Sequence, residues 1–329
     1  MGLFITDGLR MFPYDLGLKA AEHLKRGEGT DMKQWVLVLV YFIMLSCLSR
    51  PSFAFDGVDS SMYYPDIASY IVKETSGSKV FMAKDTGRII QPASLTKILT
   101  ALIAIESGKL DQEVLITKEA TLVEPTKAGL KPGDRVKLLD LVKAAMVSSS
   151  NDAAFAIAIH LSGSVERFVT AMNFRAKKIG MKNSAFTNPA GFDKGRYAGN
   201  ISTAADLLAL TEYAIKNRTF NDIAQMESIL LTELNSNRLI LLKTHNKLLA
   251  KYPYTVGIKT GFTRRAGKCL IARAQKDNRD VLLVMLNAQG DRWLLAEDMF
   301  EKAFALQTGK VRDYAAREED DFNYRPWRR

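Results

Sequence analysis

Three short stretches carry residue types that could act together as a nucleophile, its base and an anion holder. Residues 92–99 read PASLTKIL and set Ser94 and Lys97 three residues apart, where the pattern reads as the start of a helix. Residues at that spacing lie on one helical face. A serine hydroxyl is a poor nucleophile at neutral pH, and a lysine amine beside it can take its proton if something keeps that amine uncharged. A helix start adds free backbone N–H groups and a positive dipole end, both suited to developing negative charge. The second stretch is Ser149-Ser150-Asn151, between two helical patterns, and the third is Lys259-Thr260-Gly261, on a strand pattern. Singly, each has an ordinary explanation: Ser-x-x-Lys recurs by chance in long chains, a Ser-x-Asn loop serves as a helix cap, and Lys-Thr-Gly can simply end a strand. In this order, with these spacings and contexts, coincidence is a poor account of them.

The elements that must position these residues can be read from hydrophobic periodicity. Short β-branched runs at 67–73 and 79–83 flank Thr75-Ser76-Gly77-Ser78, which is turn chemistry, so a β-hairpin is expected. Leu95, Ile98, Leu99, Leu102 and Ile103 give 94–106 a helical apolar face, entered at Pro92. A short strand is expected at 114–116 and a loop at 127–136. Helices are expected at 138–147, 152–161 and 165–179, the last stopped by Gly180. Residues 183–199, rich in Asn, Gly and Pro, read as a long surface loop, followed by a helix over 203–215 capped by Ser202 or Thr203. Strands follow at 255–261, 268–274 and 281–286, and a closing helix at 293–306. Strands, a block of helices, strands again and a helix describe an α+β fold whose antiparallel sheet is made from both chain ends.

The chain has 329 residues, 47% of them hydrophobic, ample for a buried core, and a net charge of +10. Its basic residues are scattered, with no run interleaved with aromatics, which argues against a nucleic-acid partner. His23, His160 and His245 are far apart and lack metal-ligand spacing, so neither a metal nor a cofactor is expected. Of the two cysteines, Cys47 lies in an apolar N-terminal run and Cys269 in a strand pattern, where it reads as core filler.

That N-terminal run spans 35–48, follows Met32-Lys33-Gln34 and precedes Ser52-Phe53-Ala54, which together read as a secretory signal over 32–54 cut after Ala54. On this reading Met32 is the true start and 1–31 a misassigned extension. The mature chain is then a single catalytic domain over 55–309 with a disordered charged tail at 310–329. No apolar stripe in that tail suggests a C-terminal membrane anchor.

The three motifs in this order are those of penicillin-recognising serine enzymes. The chain resembles the serine D-alanyl-D-alanine carboxypeptidase family of low-molecular-mass penicillin-binding proteins over about 67–306. The resemblance rests on PASLTKILTA (92–101), SSNDAA (149–154), NPAGFD (188–193), STAADL (202–207) and GIKTGFTRRAG (257–267). It implies the β-lactamase/penicillin-binding-protein fold, with an inserted helical subdomain. It also implies a periplasmic or cell-wall location, peptidoglycan stem peptides as substrates, and β-lactams as covalent inhibitors. By position, Ser94 is the acylated nucleophile and Lys97 its base, kept neutral by burial and by the Lys259 ammonium. Ser149 relays a proton, Asn151 holds the substrate amide and orients Lys97, and Lys259 and Thr260 hold the terminal carboxylate. Gly261 lets substrate lie along the strand, and the N–H groups of Ser94 and Phe262 form the oxyanion hole. Some relatives carry His where this chain has Ala190 and Phe262.

Three other functions share parts of this pattern. A D,D-endopeptidase cutting cross-links uses the same residues. A class A β-lactamase also needs a Glu-x-x-Leu-Asn base, for which residues 231–235 (LTELN) put Leu231 at the Glu position and leave Glu233 as a solvated charge. A non-catalytic wall-binding module would not need all three motifs intact.

Overall fold

The computed structural model describes residues 63–306 apart from residue 124; the expected signal, N-terminal extension and charged tail lie outside them. The expected hairpin is present as β1 (Ile67–Glu74) and β2 (Val80–Lys84). The C-terminal strands are β7 (Thr255–Thr263), β8 (Gly267–Lys276) and β9 (Arg279–Ala288). Together they form one antiparallel sheet in the order β2-β1-β9-β8-β7. The early hairpin therefore joins the late strands through β1 and β9, and β7 is left as an edge.

The central run of β9, residues 281–286, is apolar throughout because both its faces are covered. Val281, Leu283 and Met285 face one cluster, with the closing helix α7 (Arg292–Ala305), whose Ala296, Met299, Phe300 and Ala303 follow helical spacing. Leu282, Val284 and Leu286 face the other cluster, built with the helices inserted between the two halves of the sheet. These are α1 (Lys97–Glu106), α2 (Leu138–Val147), α3 (Asn151–Ser162), α4 (Val165–Ile179), α5 (Ala204–Ala214) and α6 (Arg218–Ala224). α1 is buried nearly all round, with Ile98, Leu99, Ala101 and Leu102 at or near zero exposure, so it runs through the core. α4 starts at a Ser164 cap that accepts from Arg167 N and ends at Gly180 in the left-handed region. Thr203, not Ser202, caps α5 by accepting from Asp206 N.

The structure corrects or extends the sequence reading in four places. Ser94 lies on a 3-10 turn, Ala93–Thr96, that leads into α1 rather than within the α-helix itself. The loop over 127–136 ends in β4 (Arg135–Lys137), which pairs with β3 (Glu113–Leu115). Before β7 the chain forms α6 and a two-stranded ribbon, β5 (Ser228–Thr232) with β6 (Leu239–Lys243). Residues 183–199 are not a free surface loop: Asn188 and Ala190 are fully buried. Asn188 Oδ1 accepts from the N–H of Ala190 and Gly191, and Asn200 Nδ2 donates to Thr96 Oγ1 on the turn before α1. The polar side chains that make the segment look solvated satisfy its own backbone inside the fold.

Candidate active site

Three elements meet at the edge strand. The Ala93–Thr96 turn brings Ser94, α1 opens with Lys97, the link from α2 to α3 brings Ser149 and Asn151, and β7 brings Lys259, Thr260 and Gly261. They fit only because two glycines let backbone approach backbone. A Cβ on Gly261 would stand 3.0 Å from Pro92 O and 3.1 Å from Ala93 Cβ, so β7 can lie against the Ser94 turn. On the other side, a Cβ on Gly191 would stand 1.8 Å from Ala93 O, and its φ of +89° suits glycine alone. The turn held between them is itself strained. Ala93 has φ of 49° and Ser149 φ of 60°, both in a region that non-glycine residues avoid.

Lys97 has no solvent exposure, and its Nζ has three partners: Ser94 Oγ at 2.9 Å, Asn151 Oδ1 at 2.7 Å and Ala190 O at 2.7 Å. Asn151 Nδ2 donates to Pro125 O at 3.1 Å, which fixes which end of the amide faces Lys97. Two of the three partners are carbonyl oxygens and can only accept. A neutral amine therefore spends its two N–H bonds on them and turns its lone pair to the Ser94 hydroxyl, which is the geometry of a base. Burial first, and the Lys259 charge second, hold the Lys97 amine well below its usual range, while Asp152 opposes them weakly. The Asp152 carboxylate is occupied in accepting from the N–H groups of Ala128, Gly129 and Leu130.

Lys259 is 1% exposed and donates to Ser149 Oγ at 2.9 Å and to Thr260 O at 3.0 Å. Burial, and then the nearby Arg292 guanidinium, bring its pKa down to about 7. Ser149 thus touches Lys259; Asn151 touches Lys97. The two lysines share one cleft, and the Lys259 charge makes it harder for Lys97 to carry its own. Thr260 is buried beside them, and Phe262 is 61% exposed at the mouth.

Two basic residues at this site, one of them a histidine, have no signal in the local sequence. Arg292, the first residue of α7, donates to Gly261 O at 2.8 Å and Cys269 O at 3.0 Å, beneath the strand that carries Lys259. His245 follows β6; its backbone N–H reaches Val147 O, just before the Ser149 link, and burial with Lys259, Lys97 and Arg292 lowers its pKa. Cys269 is fully buried on β8, and burial pushes its thiol up to about 11, so it is core filler as expected.

Glu233 is not a solvated charge. It is 2% exposed, and its carboxylate accepts from the N–H groups of Arg135, Asn235 and Ser236 and from Ser236 Oγ, which holds its pKa down to about 2. It ties the ribbon to β4 and contacts none of the motif residues.

Comparison with known proteins agrees with this geometry. A sequence profile described as D-alanyl-D-alanine carboxypeptidase matches residues 61–290. The chain is 32% identical over 263 residues to the D-alanyl-D-alanine carboxypeptidase DacF of Bacillus subtilis, covering 78% of this chain and 67% of that one. It is 28% identical to an Escherichia coli protein named D-alanyl-D-alanine endopeptidase, covering 75% of this chain and 80% of that one. Among solved structures, a D-alanyl-D-alanine carboxypeptidase from Mycobacterium tuberculosis superposes with a TM-score of 0.69 at 28% identity, over 74% of this chain and 92% of that one.

Proposed function

The chain belongs to the D-alanyl-D-alanine carboxypeptidase family and is a serine-type hydrolase of it, and from that premise we propose how its own residues carry the reaction. Lys97 takes the proton of Ser94 as Oγ attacks the carbonyl carbon of the penultimate D-Ala. The N–H groups of Ser94 and Phe262 receive the oxygen that becomes negative, each contributing about 3 kcal/mol to the transition state. The C–N bond breaks, Ser149 gives its proton to the leaving nitrogen and is reprotonated by the proton that Lys97 took from Ser94, and the terminal D-Ala departs, leaving Lys97 neutral again. Water, deprotonated by Lys97, then hydrolyses the ester on Ser94. Lys259, with Thr260, receives the terminal carboxylate, and Asn151 the amide of the residue being acylated. Penicillins acylate the same oxygen and leave it slowly.

The observation that carries this reading is Lys97 Nζ at 2.9 Å from Ser94 Oγ, with its other two bonds on carbonyl oxygens. The reading also places the catalytic domain at 55–309, the secretory signal at 32–54, and the protein in the periplasm or at the cell wall, where its substrate is. The test is covalent labelling with a fluorescent penicillin: labelling of the wild type that disappears in Ser94→Ala is expected, and labelling that survives in Ser94→Ala overturns it. The relative named as an endopeptidase supports a second activity on cross-linked peptides. Release of free D-Ala from a pentapeptide, set against cleavage of a cross-linked dimer, ranks the two.

A further inference from the structure

The ribbon of β5 and β6 ends in an open edge. Its register sets Ser228 against Lys243, Leu230 against Leu241 and Thr232 against Leu239. At its two ends Thr244 N–H donates to Glu227 O at 2.7 Å and Glu233 N–H to Arg238 O at 2.9 Å. In an antiparallel pair the bonded positions recur at every second residue. Residues 238, 240, 242 and 244 therefore turn their backbone groups toward β5, while Leu239, Leu241 and Lys243 turn theirs outward. Those outward N–H and C=O groups bond to no described residue. β5 is closed on its far side, where Leu234 N–H donates to Arg135 O on β4 at 2.8 Å. The open edge of the ribbon is β6.

The side chains along this edge are apolar as well. Leu239 is 58% exposed, Leu241 61%, and Leu230, directly opposite Leu241, 55%. Alternate strand residues share a face, so the three form one patch, while Ile229 and Leu231 are buried on the other face. Edge strands usually carry charges, proline or a bulge that discourage pairing. β6 reads LILLK and has a charge only at its last residue.

Such an edge fits a second copy of itself. A two-fold axis through Leu241 sets Leu241 against its own equivalent and Leu239 against the other copy's equivalent of Lys243. Every outward N–H then meets an outward C=O, and the contact closes at two copies. The charges permit it. The two Lys243 ammonium groups fall at opposite ends of the seam, about 13 Å apart at ~3.3 Å per residue, farther than the Debye length of about 8 Å. Arg238 is already paired with Asp134. A lipid surface would leave the outward backbone groups unpaired, which is costly. An edge this short buries less than about 1,200 Å² in total, the class of weak, reversible contacts.

We propose that β6 is a self-association edge, through which two copies of the chain pair in antiparallel register about Leu241 and join their ribbons into one four-stranded sheet, β5-β6-β6-β5. The test is sedimentation velocity on the whole protein over a concentration series. Wild type should pass from monomer to dimer at about 100 µM, as suits an interface of this size. Leu241→Lys sets two ammonium-bearing side chains face to face at the axis and should weaken association about tenfold. Leu241→Pro should do the same, because the N–H it removes is not used inside the ribbon. Leu230→Lys, one strand in from the seam, should change association by no more than about twofold. None of these residues takes part in the steps above, so penicillin labelling at the wild-type rate shows each variant to be folded. A wild type that stays monomeric at about 1 mM overturns the proposal. Dimers that survive both Leu241 substitutions overturn the edge as their seam. Equal weakening by the Leu230 and Leu241 lysine variants also overturns it and assigns the contact to the leucine face, as does binding to phosphatidylglycerol vesicles that both variants lose alike.

Discussion

Replacing Lys259 with Met should make the protein more stable and less active, in a way that depends on pH. The Lys259 pKa falls from 10.5 to about 7 in the folded chain. A lysine depressed on folding binds its proton more tightly in the unfolded chain. Stability therefore rises with pH between about 7 and 10.5, and the penalty is fully present below that window. At about 1.4 kcal/mol per unit, the penalty at pH 7 is about 4 kcal/mol. Methionine removes it but also deletes the bonds to Ser149 Oγ and Thr260 O, worth about 1 kcal/mol each. The variant should then gain about 2 kcal/mol at pH 7 and fall below the wild type by a similar amount near pH 10.5. Urea unfolding at the two pH values measures the crossing. Acylation by penicillin should drop about 100-fold, because the ligand carboxylate loses a buried charged partner worth about 3 kcal/mol. What acylation remains should have its acidic limb moved to higher pH, since the Lys259 charge no longer holds the Lys97 amine down. A Met variant that is less stable than wild type by the same margin at both pH values would refute the electrostatic reasoning. So would an acidic limb that does not move.

The wild type should itself show a bell-shaped pH dependence of penicillin acylation, rising as Lys97 loses its proton and falling as Lys259 loses its own near pH 7 in the free enzyme; stopped-flow labelling from pH 5 to 10 would reveal both limbs. Gly191→Ala should cost about 3 kcal/mol, from left-handed strain plus a collision with Ala93 O that backbone cannot relieve, and should slow labelling by displacing Ser94; thermal melting and acylation rates measure the two effects. Glu233→Gln should leave penicillin labelling and deacylation unchanged. It should also weaken the acid sensitivity of folding, because the stability this carboxylate contributes is present above pH 4.5 and lost as pH falls toward 2; acid titration by circular dichroism would show it.

What could be read from the sequence follows from how local each cause is. The end of α4 was legible because Gly180 acts on backbone groups within one turn. The centre of β9, residues 281–286, was legible because a stretch covered on two faces needs no polar residue. The motif residues were legible because each stretch carries its own spacing. Arg292 was not: it reaches Gly261 O from a different element, and nothing near Arg292 in the chain marks it. The 183–199 segment was misread because Asn, Gly and Pro are equally the composition of a solvated loop and of one whose amides are consumed internally. Glu233 fails for the same reason, since a lone glutamate between strands gives no sign that four donors will converge on it.

The placement of strain in the cleft explains why that internally bonded segment is buried at all. Positive φ at Ala93 and Ser149 and two dehydrated lysines all disfavour the folded state, and all four lie within one cleft. Such features persist only where their surroundings over-determine them. Here Asn188 and Asn200 knit the 183–200 segment into a rigid brace, Asn200 anchors it to Thr96, and Gly191 lets it sit on Ala93 O. The carbonyl of Ala190 is then delivered to Lys97 by backbone position rather than by a mobile side chain. On the mechanism proposed above, a brace of this kind holds Lys97 neutral and aimed before substrate arrives, so reorganisation is not left for the moment of reaction. The destabilising arrangement and the reactive one are the same arrangement, which is why Lys259→Met is expected to move stability and acylation in opposite directions.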